Sequence, residues 1–418
     1  MRSLNVFYES QLVGRMKEDD ELVYSFEYAD SWLTSGDRFA LSLAMPMTQK
    51  VFGNRITRSF FENLLPEGEV REHLQSTRGI ASDFDFLDHY GRDCAGAIIV
   101  TDQPAFVPGV GPTKAVPIDM ERVYAAISDH QPVADVIAEM DPGYLSLAGA
   151  QDKFPAIYDG TSFLLPTQGA PTTHIVKAPI QRSGVKESVY NEYYCMELAR
   201  AVGLSVPKCS LVGAPHTLFV VERYDRYADD SGVHRIHQQD FCQAQGITSA
   251  SKYEDKGGPS LRQNYQLISD NVRPNSIISS VQSFLDWIAF NLIIGNNDSH
   301  SKNISFLLRG GQNELAPFYD LVSTAIYPKL KPTFAFKIGD RNEFSKIGAN
   351  QVKQLEESLE IRPATFQRRL ASISEKVIAA KDHLAKEVCA THPDVKIPLR
   401  ISELINTRLR SLKAQGAL

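Results

Sequence analysis

The segment NNDSHSKN, residues 296–303, is the most informative stretch of the chain for chemistry. Asp298 and Asn303 are separated by four residues, the spacing found in catalytic loops that transfer phosphoryl groups. There the Asp accepts a hydroxyl proton and the Asn holds magnesium. The strand-like ISFLLRG (304–310) follows, a glycine turn reverses the chain, and LAPFYDLVS is expected to bring Asp320 to the end of a second strand. Such a hairpin returns a second carboxylate beside the first loop, where Asn and Asp oxygens suit a magnesium ion bridging two phosphates. The plain alternatives are a helix C-terminal turn for Asp298 and a helix cap for Asp320.

Three upstream segments supply complementary chemistry. In YLSLAGAQDKFPAIY (144–158), small residues let backbone N–H groups approach an anion and Lys153 adds a point charge, although a β-hairpin needs no ligand to explain it. The chain has neither GxxxxGK[ST] nor GxGxxG, which excludes a Walker loop and a dinucleotide turn. In THIVKAP (173–179), Lys177 ends an alternating apolar strand, where it either reaches an α- or β-phosphate or is simply solvated; Glu187 and Glu192 on the next helix are equal candidates to pair with it. In LFVVERYDR (218–226), a β-branched strand turns charged. There the backbone of Glu222 and Tyr224 could meet an adenine edge and Asp225 a ribose hydroxyl, against the simpler reading of a strand exit. The order (phosphate loop, strand lysine, hinge, Asp/Asn loop, metal Asp) carries more weight than any one segment.

The elements that must position these residues follow from periodicity. Residues 1–101 alternate β-like runs (Leu4–Tyr8, Leu22–Tyr28, Ala95–Val100) with helical stretches at Arg58–Leu65 and Phe84–Tyr90. The segment 102–117 holds four prolines and two glycines and marks a boundary. Beyond it come a helix over Met120–Ile137, strands at 146–158, 162–165, 173–177 and 218–224, and a helix Glu187–Val202 stopped by Gly203. From about Gln239 the pattern is helical, over Phe284–Ile294, Pro363–Glu387 and Ile401–Leu412. The sequence therefore predicts an α+β chain in three parts: an N-terminal α+β subdomain (1–110), a β-rich lobe (118–225) and a mainly helical C-terminal lobe (226–418).

The 418 residues are 43% hydrophobic and 22% charged, with net charge −6 and pI near 6.0, a globular composition without the basic field that direct DNA binding favours. The apolar run Phe284–Gly295 is interrupted by Asp286 and Asn291 and is shorter than the about 20 residues of a membrane span. Glu9 interrupts any leader-like start, so a cytoplasmic protein with no membrane partner is expected. Five cysteines without a CxxC pair read as reduced thiols.

Taken together, SLAGAQDK (146–153), THIVK (173–177), NEYYCMELARAVGL (191–204), VVERYDR (220–226), RIHQQDFCQA (235–244), KYEDKGGPS (252–260), NNDSHSKNISFLL (296–308) and LAPFYDLVST (315–324) resemble the HipA family of serine/threonine kinases, the toxins of HipBA-type toxin–antitoxin modules. LSLAMP (41–46), FFENLLPEG (60–68) and GRDCAGAI (91–98) extend the resemblance over nearly the whole chain. The resemblance implies a protein-kinase-like two-lobed fold with an extra N-terminal subdomain. It implies ATP contacts from Ala148, Gly149, Ala150, Gln151, Asp152, Lys153, Lys177, Glu222, Tyr224, Asp225, His300, Lys302, Asn303, Tyr319 and Asp320. Asp298 would be the general base, Asn303 and Asp320 the Mg²⁺ ligands, and Ser146 an autophosphorylated, self-inactivating serine. It further implies a HipB-like helix-turn-helix antitoxin as partner, DNA contact only through that antitoxin, and an aminoacyl-tRNA synthetase, such as glutamyl-tRNA synthetase, as growth-halting target. The chain departs from ordinary protein kinases in two ways: Asn296–Asn297 stand where those have His-Arg, and DLVS replaces Asp-Phe-Gly. The rival readings are a catalytically silent ATP-binding co-repressor and a small-molecule kinase.

Overall fold

A period-two alternation of buried and exposed side chains turns the first residues into an antiparallel sheet. In the computed structural model, which describes residues 1–106, 115–144, 149, 151–167 and 169–418, its strands lie in the order Val51–Phe52, Tyr24–Tyr28, Gln11–Glu18, Arg2–Tyr8, Ile98–Thr101. Leu4, Val6, Val13, Met16 and Phe26 point into the core. Helices Asn54–Phe61 and Asp83–Tyr90 add Phe60, Phe61, Phe84 and Phe86 to the same core. A capping box between Ser82 and Asp85 starts the second of these helices. Strand Gln11–Glu18 and helix Gly68–Arg78 had no clear sequence signal, because Gly14, Arg15 and Lys17 break the first pattern and only Leu74 is buried in the second.

A second sheet of six strands runs Cys209–Val212, Leu218–Glu222, His174–Lys177, Lys153–Tyr158, Phe163–Pro166, Ala115–Pro117. The last strand falls inside the proline-rich segment and lies at the edge, where Pro117 costs no ladder bond. The single helix expected over Met120–Ile137 is two, Met120–Ser128 and Val133–Met140. Pro132 forbids a continuous helix and disfavours helical backbone at Gln131; the chain turns there through His130 with φ +57°. Leu4 through Val100 and Ile118 through Val220 share one hydrophobic cluster. Compact grouping therefore cuts across the linear boundaries read from sequence: Met1–Ala178, Val212–Ala250 and Phe306–Gly311 form one unit, and Pro179–Leu211, Ser251–Ser305 and Gln312–Leu418 the other.

The second unit is built on helices Ser188–Ala201, Leu261–Asn271, Ile277–Ile294, Ala349–Ser358, Thr365–Thr391 and Ile397–Ala414. Its central helix is longer than the apolar run suggested. With the preceding turn it spans Pro274–Ile294, 21 residues, long and apolar enough by composition to cross a membrane, yet 61% of its most apolar window is buried inside the protein. Phe284, Leu285, Trp287, Phe290 and Ile293 make that burial, with Phe366, Leu370, Ile401 and Ile405 in the same unit's core. Helix Ser188–Ala201 ends as its sequence predicts, with Gly203 at φ +94°.

The first unit also buries an ion cluster. Asp93, with a fully buried side chain, meets Arg223 at 3.0 Å, Arg226 at 2.9 Å and Arg235 at 3.2 Å. Asp225 pairs with Arg223 at 2.9 Å and Arg226 at 3.0 Å and accepts the Gly96 N–H at 2.7 Å. Burial pushes the Asp93 carboxyl up, but the guanidiniums outweigh it and hold the group below the usual carboxylate range. Asp93→Ala is expected to leave Arg235 without its carboxylate and Arg223 and Arg226 sharing Asp225 alone, at a cost of about 3–5 kcal/mol seen as a lower urea midpoint. A shift under about 1 kcal/mol would show that the cluster relaxes without it.

Candidate active site

The last turn of an α-helix leaves carbonyls without intrahelical partners. In helix Ile277–Ile294 the surrounding chain satisfies those of Asn291, Leu292 and Ile294. Gly295, at φ +75°, and Asn296 both donate their N–H to the Asn291 carbonyl at 3.0 Å. Arg408 donates to the Leu292 carbonyl at 2.7 and 3.0 Å. Ser323 Oγ donates to the Ile294 carbonyl at 2.6 Å, and Thr324 Oγ1 and the Ala325 N–H donate to the Gly295 carbonyl at 3.2 and 2.9 Å. The segment carrying Asp298 thus leaves the helix in a fixed direction, and the segment carrying Asp320 is tied to the same helix end.

Asparagines complete the tie. Asn296 Nδ2 donates to Asn291 Oδ1 at 2.8 Å and to the Asp320 carbonyl at 3.2 Å. Asn191 takes the Ser323 N–H at 2.8 Å and returns a bond to the Ser323 carbonyl at 3.0 Å. Asn303 Nδ2 donates to the Asp298 carbonyl at 3.0 Å, closing the loop on itself. Tyr319 Oη donates to the Lys302 carbonyl at 2.8 Å. The second unit therefore brings Asp298, His300, Lys302, Asn303, Tyr319 and Asp320 together. Asp320 does not end a strand as expected: the hairpin strands are Ser305–Arg309 and Gln312–Leu315, and Asp320 lies beyond them in irregular backbone at φ +53°. The tie through Asn296 holds this left-handed conformation, which few non-glycine residues adopt.

The environments of these groups differ. The Asp298 side chain is 55% exposed, lies 3.9 Å from His300 Nε2 and accepts a short hydrogen bond from the Tyr253 hydroxyl. His300 and Asn303 are buried. Asn303 spends its amide nitrogen on the loop, so its oxygen is the atom it can present to a cation, and the Asp320 carboxylate is of the same hard-oxygen type that magnesium takes. Among the described residues no cluster of three or more His, Cys, Asp or Glu side chains could hold a metal. No second ligand for His300 follows from the sequence or from this set.

The first unit carries the other group of candidate residues. Lys153 and Lys177 face each other in strand register, so their side chains project from one face of the sheet. Lys177 is buried, with its ammonium 5.8 Å above the Phe219 ring. Gly149 adopts φ +111°, and a Cβ there would lie 2.8 Å from Lys153 Nζ, so only glycine suits this position. The Gly149 carbonyl accepts the Glu67 N–H at 2.9 Å, and Gln151 Nε2 donates to the Ala178 carbonyl at 3.0 Å. Two lysine side chains on one sheet face beside a glycine turn have the donor chemistry that a phosphate takes. Ser146, Ala148 and Ala150 lie outside the described residues.

Three expectations change. Asp225 is closed inside the ion cluster, with both oxygens engaged, and presents no carboxylate to a ribose. Asp152 turns its carboxylate onto the start of helix Val133–Met140, accepting the Val133 N–H at 2.7 Å and the Ala134 N–H at 3.3 Å, so its side chain positions that helix. Glu187 accepts the Lys396 and Ile397 N–H groups at 2.9 and 2.7 Å, which spends its carboxylate on the start of helix Ile397–Ala414. Glu222 is exposed at its strand end opposite His174, and the Tyr224 hydroxyl donates to Gln238. Sequence reasoning missed Tyr253, Asn191, Ser323 and Thr324. Nothing in one sequence distinguishes them from ordinary polar residues, although KYEDKGGPS was already singled out.

Burial pushes the Asp152 carboxyl up to about 6, against the helix N–H groups that favour its charge. A carboxyl with a raised folded value adds stability that is complete below its unfolded pKa of about 4 and is lost as pH rises through 6. Relative to wild type, Asp152→Asn is therefore expected to gain about 2–3 kcal/mol between pH 4 and pH 7, read from urea midpoints. Parallel pH profiles for the two proteins would contradict this environment for Asp152.

The comparisons with known proteins identify the family. The family model for the HipA-like C-terminal domain matches residues 145–382, and that for the HipA N-terminal domain matches residues 4–101. A candidate kinase of Sinorhizobium fredii, Y4mE, is 37% identical over 391 residues, 91% of this chain and 91% of that protein. The serine/threonine-protein kinase toxin HipA of Shewanella oneidensis is 30% identical over 380 residues, 88% of this chain and 85% of that protein. A solved Shewanella oneidensis structure of HipA with HipB and its operator DNA superimposes with a TM-score of 0.83 at 26% identity, covering 99% of this chain and 98% of that one. With both domain models matched in order and relatives aligned nearly end to end, this α+β chain belongs to the HipA family of kinases.

Proposed function

We propose that the chain transfers the γ-phosphoryl group of ATP to a serine or threonine hydroxyl of a protein. The observation that carries this reading is the Asn296 bridge, which fixes the Asp298–Asn303 loop to the backbone of Asp320. In it, Asp298 orients the attacking hydroxyl and takes its proton. Lys153, Lys177 and the turn at Gly149 bind and align the phosphates, with the backbone of Glu222 and Tyr224 at the adenine edge. Asn303 and Asp320 would hold magnesium, which when bound neutralises charge on the phosphates. His300, Lys302 and Tyr319 complete the nucleotide side of the loop.

The biological setting is part of the proposal. The Shewanella oneidensis neighbour is solved with HipB and operator DNA, which supports a helix-turn-helix antitoxin as partner here. A net charge of −6 favours DNA contact through that partner rather than directly. Growth inhibition through an aminoacyl-tRNA synthetase, a cytoplasmic location and self-inactivation at Ser146 rest on the family resemblance. A phosphate at Ser146 would place about −1.5 to −2 charges beside a triphosphate site and oppose ATP binding.

In a γ-phosphate transfer assay, Asp298→Asn is expected to lose about 10²–10⁴-fold in rate with ATP affinity retained. Asp320→Ala is expected to weaken Mg-ATP binding itself, seen by calorimetry. Wild-type rates in both variants would remove the assignment of these carboxylates. After incubation with ATP and magnesium, mass spectrometry is expected to find phospho-Ser146; an unmodified peptide from an active enzyme would exclude self-inactivation by that route.

A further inference from the structure

The Tyr253 hydroxyl donates its proton to Asp298 Oδ1, the same relation an acceptor serine must take up for its own hydroxyl to be deprotonated. The contact is built in. Lysine ammoniums of Lys252, Lys256 and Lys331 lie 5.7, 5.6 and 5.4 Å from the Tyr253 ring centroid, and the His300 ring meets its edge at 5.1 Å and 84°. The Tyr253 carbonyl accepts the Lys256 and Gly258 N–H groups at 3.0 and 2.9 Å, closing a tight turn. A Cβ at Gly258 would lie 2.1 Å from the Ser251 carbonyl oxygen, so the turn requires glycine. Outside the turn, Glu254 accepts the Lys337 N–H at 2.8 Å and Asp255 pairs with Lys331 at 2.6 Å. A side chain held from so many directions does not reach the candidate base by chance of an exposed rotamer.

The Asp298 carboxylate is more than half exposed, so water can approach it. A general base that water reaches also activates water. The oxygen then forms a bond to the γ-phosphorus, the bond to the ADP oxygen breaks, the water proton passes to the carboxylate, and ATP is lost to phosphate and ADP without transfer. We propose that Tyr253 is a positioning residue that gates the acceptor side: its hydroxyl occupies Asp298 while no substrate is bound and yields to the substrate serine or threonine hydroxyl. This rests on the kinase reading and deepens it by assigning how the enzyme would choose a protein hydroxyl over water.

The test is phosphate release from Mg-ATP by the full chain with no protein acceptor, compared for wild type, Tyr253→Phe, Asp298→Asn and the double variant. Phenylalanine keeps the ring and its lysine contacts and removes only the hydroxyl. A hydrogen bond to a charged group corresponds to a rate change of about tenfold or more, so Tyr253→Phe should release phosphate about tenfold faster than wild type, with ATP affinity by calorimetry unchanged. The double variant should fall back to the level of Asp298→Asn. An unchanged or slower rate in Tyr253→Phe, a gain that survives in the double variant, or phosphotyrosine at Tyr253 in the wild type would each overturn the gate. If Asp298→Asn alone still transferred phosphate at the wild-type rate, the kinase assignment of Asp298 would fall, and the gate with it. If Asp298→Asn is inactive and Tyr253→Phe shows no gain, the gate alone falls.

Discussion

The hydrogen-bonded end of helix Ile277–Ile294 is the constraint on which the second unit's candidate site depends. A helix buried among Phe284, Trp287, Phe290 and Ile293 cannot leave its last carbonyls to solvent. Each carbonyl met there by Ser323, Thr324, Arg408 or the turn at Gly295 also fixes a piece of chain bearing functional groups. Satisfying the backbone and positioning the chemistry are one event. Polar side chains do this work because apolar ones would leave the carbonyls unpaired, at a cost of about 1–3 kcal/mol each.

The acidic residues show how environment, more than residue type, sorts roles. Asp93 and Asp225 are closed among guanidiniums and serve the fold. Asp152 is spent on a helix start and Glu187 on another. Asp298 keeps an exposed carboxylate, and Asp320 sits in backbone that its neighbours hold in place. An ion cluster such as the one around Asp93 is weak evidence for added stability, since desolvating its charges offsets most of their attraction. Its effect is to fix the strand exit after Glu222, where the adenine edge is proposed.

Much of this was legible in the sequence. The Asp298–Asn303 spacing, the strand ending at Lys177, the stop at Gly203 and the strong period of helix Phe284–Ile294 are local signals, and each appears in the structure as an element or a turn. What was not legible depends on partners far along the chain. The burial of Asp225 needs Asp93 and Gly96, more than 120 residues away. The commitment of Glu187 needs Lys396 and Ile397. The irregular backbone at Asp320 needs Asn296, because LAPFYDLVS alternates well enough to read as a strand until its backbone is found tied elsewhere. Compact grouping escaped the linear reading for the same reason: the apolar faces of two sheets bury against one core, and the proline-rich stretch between them does not separate them.

The left-handed backbone at Asp320 explains why a loop, and not a strand end, carries this carboxylate. A strand would point alternate side chains to opposite faces and fix the carboxylate by register alone. Departing from it costs about 1–3 kcal/mol at a non-glycine residue. The bond from Asn296 to the Asp320 carbonyl and the paired bonds between Asn191 and Ser323 offset that cost. Because Asn296 also bonds to Asn291, and Asn303 to the Asp298 carbonyl, one polar network holds the backbone of Asp298 and of Asp320 at once. The Asn296–Asn297 pair, which in sequence only marks a departure from His-Arg, thereby acquires a physical role: Asn296 bridges the two loops, and Asn297 anchors to Thr324 and Lys331.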